Sequence, residues 1–376
     1  MSPLNRRSLL LGLGAASLTA CATQPVSTAP SAAPQAFPKV LSRRERITRT
    51  VVGLRPFRPQ GFRLEAERFG DKTVIHNYGH GGCGVTLSWG TSQRAATMAG
   101  EAGRLDVAIL GGGVMGLTSA LILARRGHAV TVYAEAMHPN TTSNIAGALW
   151  LPASLYDRDV ATQDFLDLNW HVTREAHRGF LPYVNRPGYG VSWVRHSETS
   201  NRVRDPRFVL PGGDDLYPDL QILKAQTRFG FPYEERYHTL MIDPDFYLDQ
   251  LMQDAQLAGA RFISQRFEKL DDVLALAQPV IVNCTGLGAG KLFGDESLMP
   301  IRGQLSHLLP QPEIDYSYTT YIDGSLYMFP RKTGLVLGGS HGRGNWSLDV
   351  SEEELTRMID GHAALAERAT FATYSS

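Results

Sequence analysis

What this chain lacks narrows its class before any motif is read. It has three cysteines in 376 residues, Cys21, Cys83 and Cys284, too few for a disulfide framework. With Cys21 accounted for below, one disulfide at most is open to it, between Cys83 and Cys284. Basic and acidic residues number 37 each, so no charge excess points to a nucleic-acid partner. Metal-ligand spacing is missing too. His76 and His80 are four apart, but in a glycine-rich stretch rather than on a helix. The apolar run at residues 9–18 is too short, and too rich in Gly and Ala, to span a bilayer.

That run has another use. Arg6-Arg7, the apolar run and the small residues Thr19-Ala20 before Cys21 have the order of a secretory signal over residues 1–20. The paired arginines suggest twin-arginine export, which carries folded proteins, and a periplasmic location. Leu18-Thr19-Ala20-Cys21 resembles a lipoprotein cleavage box, with Cys21 as the lipid-bearing anchor; an ordinary cleavage site beside a cysteine is the other reading. Residues 22–38 are rich in Ala, Pro, Ser and Thr, and a disordered tether is expected over 21–45.

Residues 105–135 are the most informative stretch. Val107 to Leu110 reads as a strand buried on both faces. Gly111-Gly112-Gly113-Val114-Met115-Gly116 follows and opens a helix, where a tight turn and helical amides suit a pyrophosphate. A second strand ends at Glu135, nineteen residues after Gly116, placed to bond an adenosine ribose. This predicts a dinucleotide site in an α/β fold but does not separate FAD from NAD(P).

Other elements are expected around it. A strand at 46–52 leads into Gly53-Leu54-Arg55-Pro56-Phe57-Arg58-Pro59, expected to be extended and irregular. A fork-shaped guanidinium there suits a carboxylate, although solvated surface is the plain reading of Arg55 and Arg58. A strand at 73–77 precedes a loop with four glycines in the seven residues 78–84. Helices are expected at 91–101, 245–258 and 352–370. Strands are expected at 260–264, 280–286 (ending in small residues) and, as a pair, within 326–337. Residues 211–237 read as a mobile loop. A dinucleotide domain is thus expected at 60–155 and 250–300, and a second, mixed-sheet domain at 46–59, 156–249 and 301–376.

Several longer motifs together resemble the D-amino-acid oxidase family, with D-aspartate oxidase as a close relative. They include Thr141-Thr142-Ser143, Gly147-Ala148-Leu149-Trp150, Val282-Asn283-Cys284-Thr285-Gly286, Gly53-Leu54-Arg55-Pro56 and His76-Asn77-Tyr78-Gly79-His80-Gly81-Gly82. Arg302-Gly303-Gln304, Gly338-Gly339 and Gly344-Asn345-Trp346 add to them. The resemblance covers nearly all of 46–370, but in a different order. Pieces that close the family's sequence stand here at 46–101, ahead of the dinucleotide strand, as a circular permutation would leave them, with a joint near 100–104.

The resemblance implies a Rossmann-like FAD-binding domain, bound FAD, and oxidation of a D-amino acid by dioxygen. By residue it implies Arg55 and Tyr237 on the substrate carboxylate, Tyr233 in a lid, and the Gly82 carbonyl on the amine. For both tyrosines ordinary packing is the alternative. Gly84, Val85 and Thr86 would face the flavin pyrimidine, and Gly147, Ala148 and Leu149 would line the ring. Gly111, Gly113, Val114, Met115, Gly116, Glu135, Thr141, Thr142, Phe267, Thr285 and Gly286 complete the cofactor set. Cys83 stands where the family often has an aromatic, leaving a covalent flavin link open. Glu234 and Glu235, beside Arg228 and Arg236, favour neutral or basic substrates over D-aspartate. A D-aspartate oxidase, a glycine or sarcosine oxidase, a nicotinamide dehydrogenase and a non-catalytic FAD-binding lipoprotein are the alternatives. Oligomeric state is not legible.

Overall fold

The computed structural model describes residues 38–100, 105–201, 216–224 and 227–369. The export signal, Cys21 and most of the tether lie outside the described residues. The tether's expected end does not: from residue 38 the chain is packed. Tyr316 donates to the Pro38 carbonyl at 2.7 Å and Ser42 to that of Ile359 at 2.9 Å, and Val40 is buried.

Strands β1 (Ile47–Phe57), β2 (Arg63–Phe69) and β3 (Lys72–Tyr78) lead into helix α1 (Gly84–Met98). Next come β4 (Asp106–Leu110), α2 (Val114–Arg125), β5 (Ala129–Ala134), the short α3 (Thr142–Ile145) and α4 (Gln163–Phe180). Strands β6 (Val191–Ser200), β7 (Gln221–Lys224) and β8 (Tyr233–Ile242) precede α5 (Pro244–Leu257). They are followed by β9 (Arg261–Ser264), α6 (Leu270–Leu274), β10 (Val280–Asn283) and α7 (Gly288–Phe293). The chain then runs through β11 (Met299–Leu308), β12 (Tyr316–Tyr321), β13 (Ser325–Arg331), β14 (Gly334–Gly338), β15 (Gly342–Arg343) and α8 (Glu352–Arg368).

Two sheets result. One has the order β2-β3-β10-β4-β5-β9, parallel except for β2. Its strands are buried on both faces, as parallel sheets require. Val107 and Ile109 pack with α1, α2 and α5 residues, while Ala108 and Leu110 face Val273 of α6 and Leu292 of α7. The other sheet runs β1-β11-β14-β13-β12-β6-β8-β7, with β15 also on β11. Its β12–β14 region packs on α8 through Tyr318, Met328, Leu337, Leu355 and Ile359. The described residues form one compact unit by their contacts, and β11 starts at Met299, within the segment 250–300 expected for the dinucleotide domain.

Three expectations need correction. The Leu-Arg-Pro piece is not irregular, because β1 runs unbroken to Phe57. Pro56 is tolerated since β1 lies at a sheet edge, where it pairs with Pro300 at the end of β11. Strand β2 was not expected, since its polar residues show no buried stripe; it is a charged edge strand. Residues 211–237 do not form one loop: β7 and most of β8's first half lie there, with 211–215 and 225–226 outside the described residues. Helix α1 also starts earlier than expected, at Gly84. Residues 47–98 are no detached domain, since β1 pairs with β11 and β3 with β10.

Candidate active site

A cavity of about 910 Å³ runs from the glycine turn after β4 to the floor formed by β1, β11 and β13. This is near the top of the usual small-molecule range of roughly 300–1,000 Å³. Two helix N-termini open into it. At α2 the N-cap is Gly113, which has no side chain to satisfy the first-turn amides; Val114 N–H finds Ser143 Oγ at 3.0 Å. At α1 the N-cap Cys83 makes no capping bond, and Gly84 and Val85 line the cavity. Open N-termini place partial positive charge where an anion can sit.

The turn is shaped by close approach. Gly111 has φ +109°, and a Cβ there would meet the Cys284 carbonyl at 2.5 Å. At Gly116 a Cβ would overlap the Gly111 carbonyl, so this glycine lets α2 seat on the turn and is not itself a lining residue. Gly113, Val114, Met115, Glu135, Thr141, Thr142, Gly147, Ala148, Leu149, Phe267, Thr285, Gly286 and Gly82 all line the cavity. Glu135 is exposed and held 3.3 Å from Arg266. Thr86 is set back from the lining, its hydroxyl on the Leu151 carbonyl at 3.4 Å.

At the far end stands Arg55, half-buried on β1. Among the described residues it has no hydrogen-bond or salt-bridge partner, whereas the neighbouring buried arginines are engaged. Arg58 pairs with Asp295 at 2.8 Å, Arg302 with Glu354 at 2.6 Å, and Arg331 donates to the Ala146 and Gly147 carbonyls at 2.5 and 3.1 Å. A lone guanidinium in a cavity can pair with an incoming anion. Arg58 is not solvated surface either: its side chain is 12% exposed and lies against Gly79.

Strand β13 supplies the opposite wall. Tyr327 and Phe329 stack at 4.6 Å and both line the cavity. Phe329 abuts Gly147, and the Tyr327 ring lies over Gly338 on β14 so closely that a Cβ there would overlap its phenol end. Arg55 lies over Gly303 on β11 in the same way. Because β11 and β14 are adjacent between β1 and β13, the two polar tips lean inward over one floor. Ala148 and Ser154, two of the described non-glycine residues with positive φ (57° and 58°), also line the cavity. Such backbone concentrates where a site is held in shape by its surroundings.

Tyr237 and Tyr233 are not brought to this place. Tyr237 is 4% exposed and donates to Glu198 Oε1 at 3.1 Å, with Tyr217 packed at 4.7 Å. Tyr233 sits at the outer end of β8, paired with Ser200 and Lys224. Ordinary packing, the alternative reading, describes both. The tyrosines that line the cavity are Tyr78, Tyr133, Tyr321 and Tyr327, of which Tyr327 on β13 and Tyr321 on β12 share the sheet with Arg55. The signal missed was the pattern Tyr327-Met328-Phe329, whose alternate aromatics share one face of a strand. His341 and Ser340 were missed as well. Burial, with the Arg55 charge beside it, lowers the His341 pKa, so that ring is neutral.

Cys83 and Cys284 are free, and both are buried. Cys83 donates to the Ala153 carbonyl at 2.8 Å, and burial pushes its thiol up to about 12. It is turned away from the cavity, which argues against a covalent flavin link through it. Among the described residues no cluster of metal-binding side chains occurs.

The family model for FAD-dependent oxidoreductases of the DAO type matches residues 106–370. The chain belongs to this family. It is 30% identical over 281 residues to a D-amino-acid oxidase of Rubrobacter xylanophilus, covering 72% of this chain and 81% of that one. It is 25% identical over 266 residues to human D-aspartate oxidase, covering 69% and 75%. In fold it is similar to iminodiacetate oxidase from Chelativorans sp. BNC1, with TM-score 0.50 and 15% identity over 70% of this chain and 79% of that one. The cofactor of this flavoenzyme is FAD, and the open α2 terminus, the glycine turn and the length of the cavity fit it. The turn at 111–115 and Thr141–Ser143 would hold the pyrophosphate, Glu135 the ribose, and Gly84 and Val85 the electron-accepting end. When bound, FAD supplies a hydride acceptor.

Proposed function

We propose that this flavoenzyme oxidises D-amino acids with uncharged side chains. The Cα–H bond breaks with its hydride going to the flavin while the amine's lone pair forms the C=N bond of an imine; the imine hydrolyses to a 2-oxo acid and ammonia, and dioxygen takes up the two electrons as hydrogen peroxide. The observation that carries this reading is Arg55, a half-buried guanidinium with no anion partner among the described residues, lining one cavity with Tyr327. The Rubrobacter xylanophilus relative, a D-amino-acid oxidase, supports D-amino acids as the substrate class.

In this reading Arg55 and the Tyr327 hydroxyl hold the α-carboxylate, and the Gly82 carbonyl accepts from the amine. The remaining requirement is orientation and exclusion of water, which the Tyr327–Phe329 stack and Leu305 provide. Side-chain class follows from what faces Arg55. Among the described residues Glu135 is the one acid lining the cavity, and it lies beside the turn assigned to the ribose end. Among the described residues no carboxylate therefore waits for a basic substrate; the other lining cations, Arg266 and Lys291, are paired with Glu135 and Glu268, so with His341 neutral none waits for an acidic one. The sequence favoured neutral or basic substrates; the lining favours neutral ones.

The test is a visible spectrum and a peroxide assay over a panel of D- and L-amino acids. A flavin spectrum with peroxide from neutral D-amino acids is expected. Turnover of L-enantiomers alone, or of D-aspartate above all others, contradicts the reading.

Two further readings concern the ends of the chain. We infer from the N-terminal sequence that the protein is exported folded around FAD and anchored by lipid on Cys21; Cys21→Ser should release it from membranes. We also infer that residues 46–101 are the family's closing segments moved to the front. The start of the family match at Asp106, and the places β1 and β3 take within the two sheets, support this. Relocating 46–101 to follow residue 369 should give a folded, yellow protein, and an insoluble product would count against it.

A further inference from the structure

A row of side chains runs from the surface of β2 to the cavity. Glu67 Oε2 lies 3.1 Å from His76 Nε2, and His76 Nδ1 lies 3.1 Å from Asn283 Nδ2. Asn283 Oδ1 accepts from the Thr285 hydroxyl at 2.7 Å and from its amide at 3.2 Å. His76 and Asn283 are fully buried, and Thr285 lines the cavity beside the glycine turn. Register explains the row: Asn283 stands opposite His76 between parallel β10 and β3, and Glu65 stands opposite His76 on β2, two residues before Glu67.

The direction of each bond is settled by chemistry. A carboxylate only accepts, so the neutral ring carries its proton on Nε2 and accepts at Nδ1. Asn283 must then give its NH2 group to the ring and its carbonyl to Thr285. The Thr285 hydroxyl commits its only proton to Asn283, so its oxygen meets the cavity as an acceptor. The ring stays neutral because burial, then the Arg63 charge, lower its pKa against the pull of Glu67 and Glu65. Around it pack the Tyr78 ring and, from α7, Phe293 at 5.1 Å.

We infer that His76 is a positioning residue for the cofactor: it fixes the Asn283 amide and so presents Thr285 Oγ1 as an acceptor to a hydroxyl of FAD. It acts through two other residues and touches no ligand. Without the ring nitrogens the Asn283 amide can rotate, and Thr285 can turn its proton into the cavity. The inference rests on the cavity being the FAD site.

Flavin fluorescence gives the FAD dissociation constant for the native protein, Thr285→Val, His76→Phe and the double variant. Phenylalanine keeps the ring packing; if that variant does not fold, His76→Gln replaces it. Each single change should weaken FAD about tenfold, roughly the worth of one hydrogen bond. The double variant should bind no more weakly than the weaker single, because both changes delete one contact. Losses that multiply to about a hundredfold would make His76 merely structural and overturn the inference, as would native affinity in Thr285→Val. A native protein that takes no FAD would instead defeat the cofactor assignment on which this rests.

Discussion

The guanidinium of Arg55 lies directly over Gly303 on the neighbouring strand β11, in space that any side chain at 303 would fill. The obstruction is the tip of a flexible side chain, not backbone, so Gly303→Ala should fold and hold FAD while displacing Arg55. Misplacing a binding group by about 1 Å can cost roughly a hundredfold. We expect kcat/KM to fall about ten- to a hundredfold, mostly in KM, with an unchanged flavin spectrum. Steady-state kinetics beside the spectrum checks this.

The two tyrosines should separate cleanly. Tyr327→Phe removes one hydroxyl from the cavity and should lower kcat/KM about tenfold without changing Tm. Tyr237→Phe removes a donor from buried Glu198 and should destabilise by about 1 kcal/mol. Its turnover per folded molecule should stay near native. Thermal melts and kinetics on both variants decide it, and the reverse pattern would restore Tyr237 to the site.

Arg58 and Asp295 give the acid limb of stability. Burial alone would raise the Asp295 carboxyl, but bonds from Ser297 and Tyr78 and the Arg58 charge outweigh it and hold its pKa below the usual range. A depressed folded pKa contributes stability that is present above the unfolded value, about 3.9, and is lost as pH falls through the folded one. Denaturant melts between about pH 6 and 2 should show native stability falling below about pH 4, with a shallower fall in Asp295→Asn. Arg58→Ala leaves a buried carboxylate without its cation and should cost about 3–5 kcal/mol at neutral pH. Since Arg58 also rests on Gly79, FAD-loop contacts should loosen with it.

How much could be read from the chain alone varied with the kind of signal. Gly111 to Gly116 and Glu135 fall where a local strand-turn-helix-strand pattern puts them, because that pattern is contiguous. Arg55 was legible through its motif, but its isolation was not, since that depends on which acids pair with Arg58 and Arg302 at a distance. Tyr237 was misassigned for the same reason. A tyrosine on a strand gives no sign of its face until the register of β6 and β8 places it on Glu198. Strand β2 was invisible because an edge strand with charges on both faces lacks the apolar alternation that marks a buried one. The packing of residues 38–45 on α8 was hidden by a composition that reads as tether.

The most direct test is kcat/KM of Arg55→Ala with a neutral D-amino acid, measured on protein shown spectroscopically to be loaded with FAD. A charge-assisted pair in a partly dry cavity is worth roughly 3–5 kcal/mol, and each 1.4 kcal/mol is about tenfold. The expected result is a fall of roughly two to four orders of magnitude with FAD retained. Near-native turnover in Arg55→Ala would contradict the assignment of this cavity to an amino-acid carboxylate.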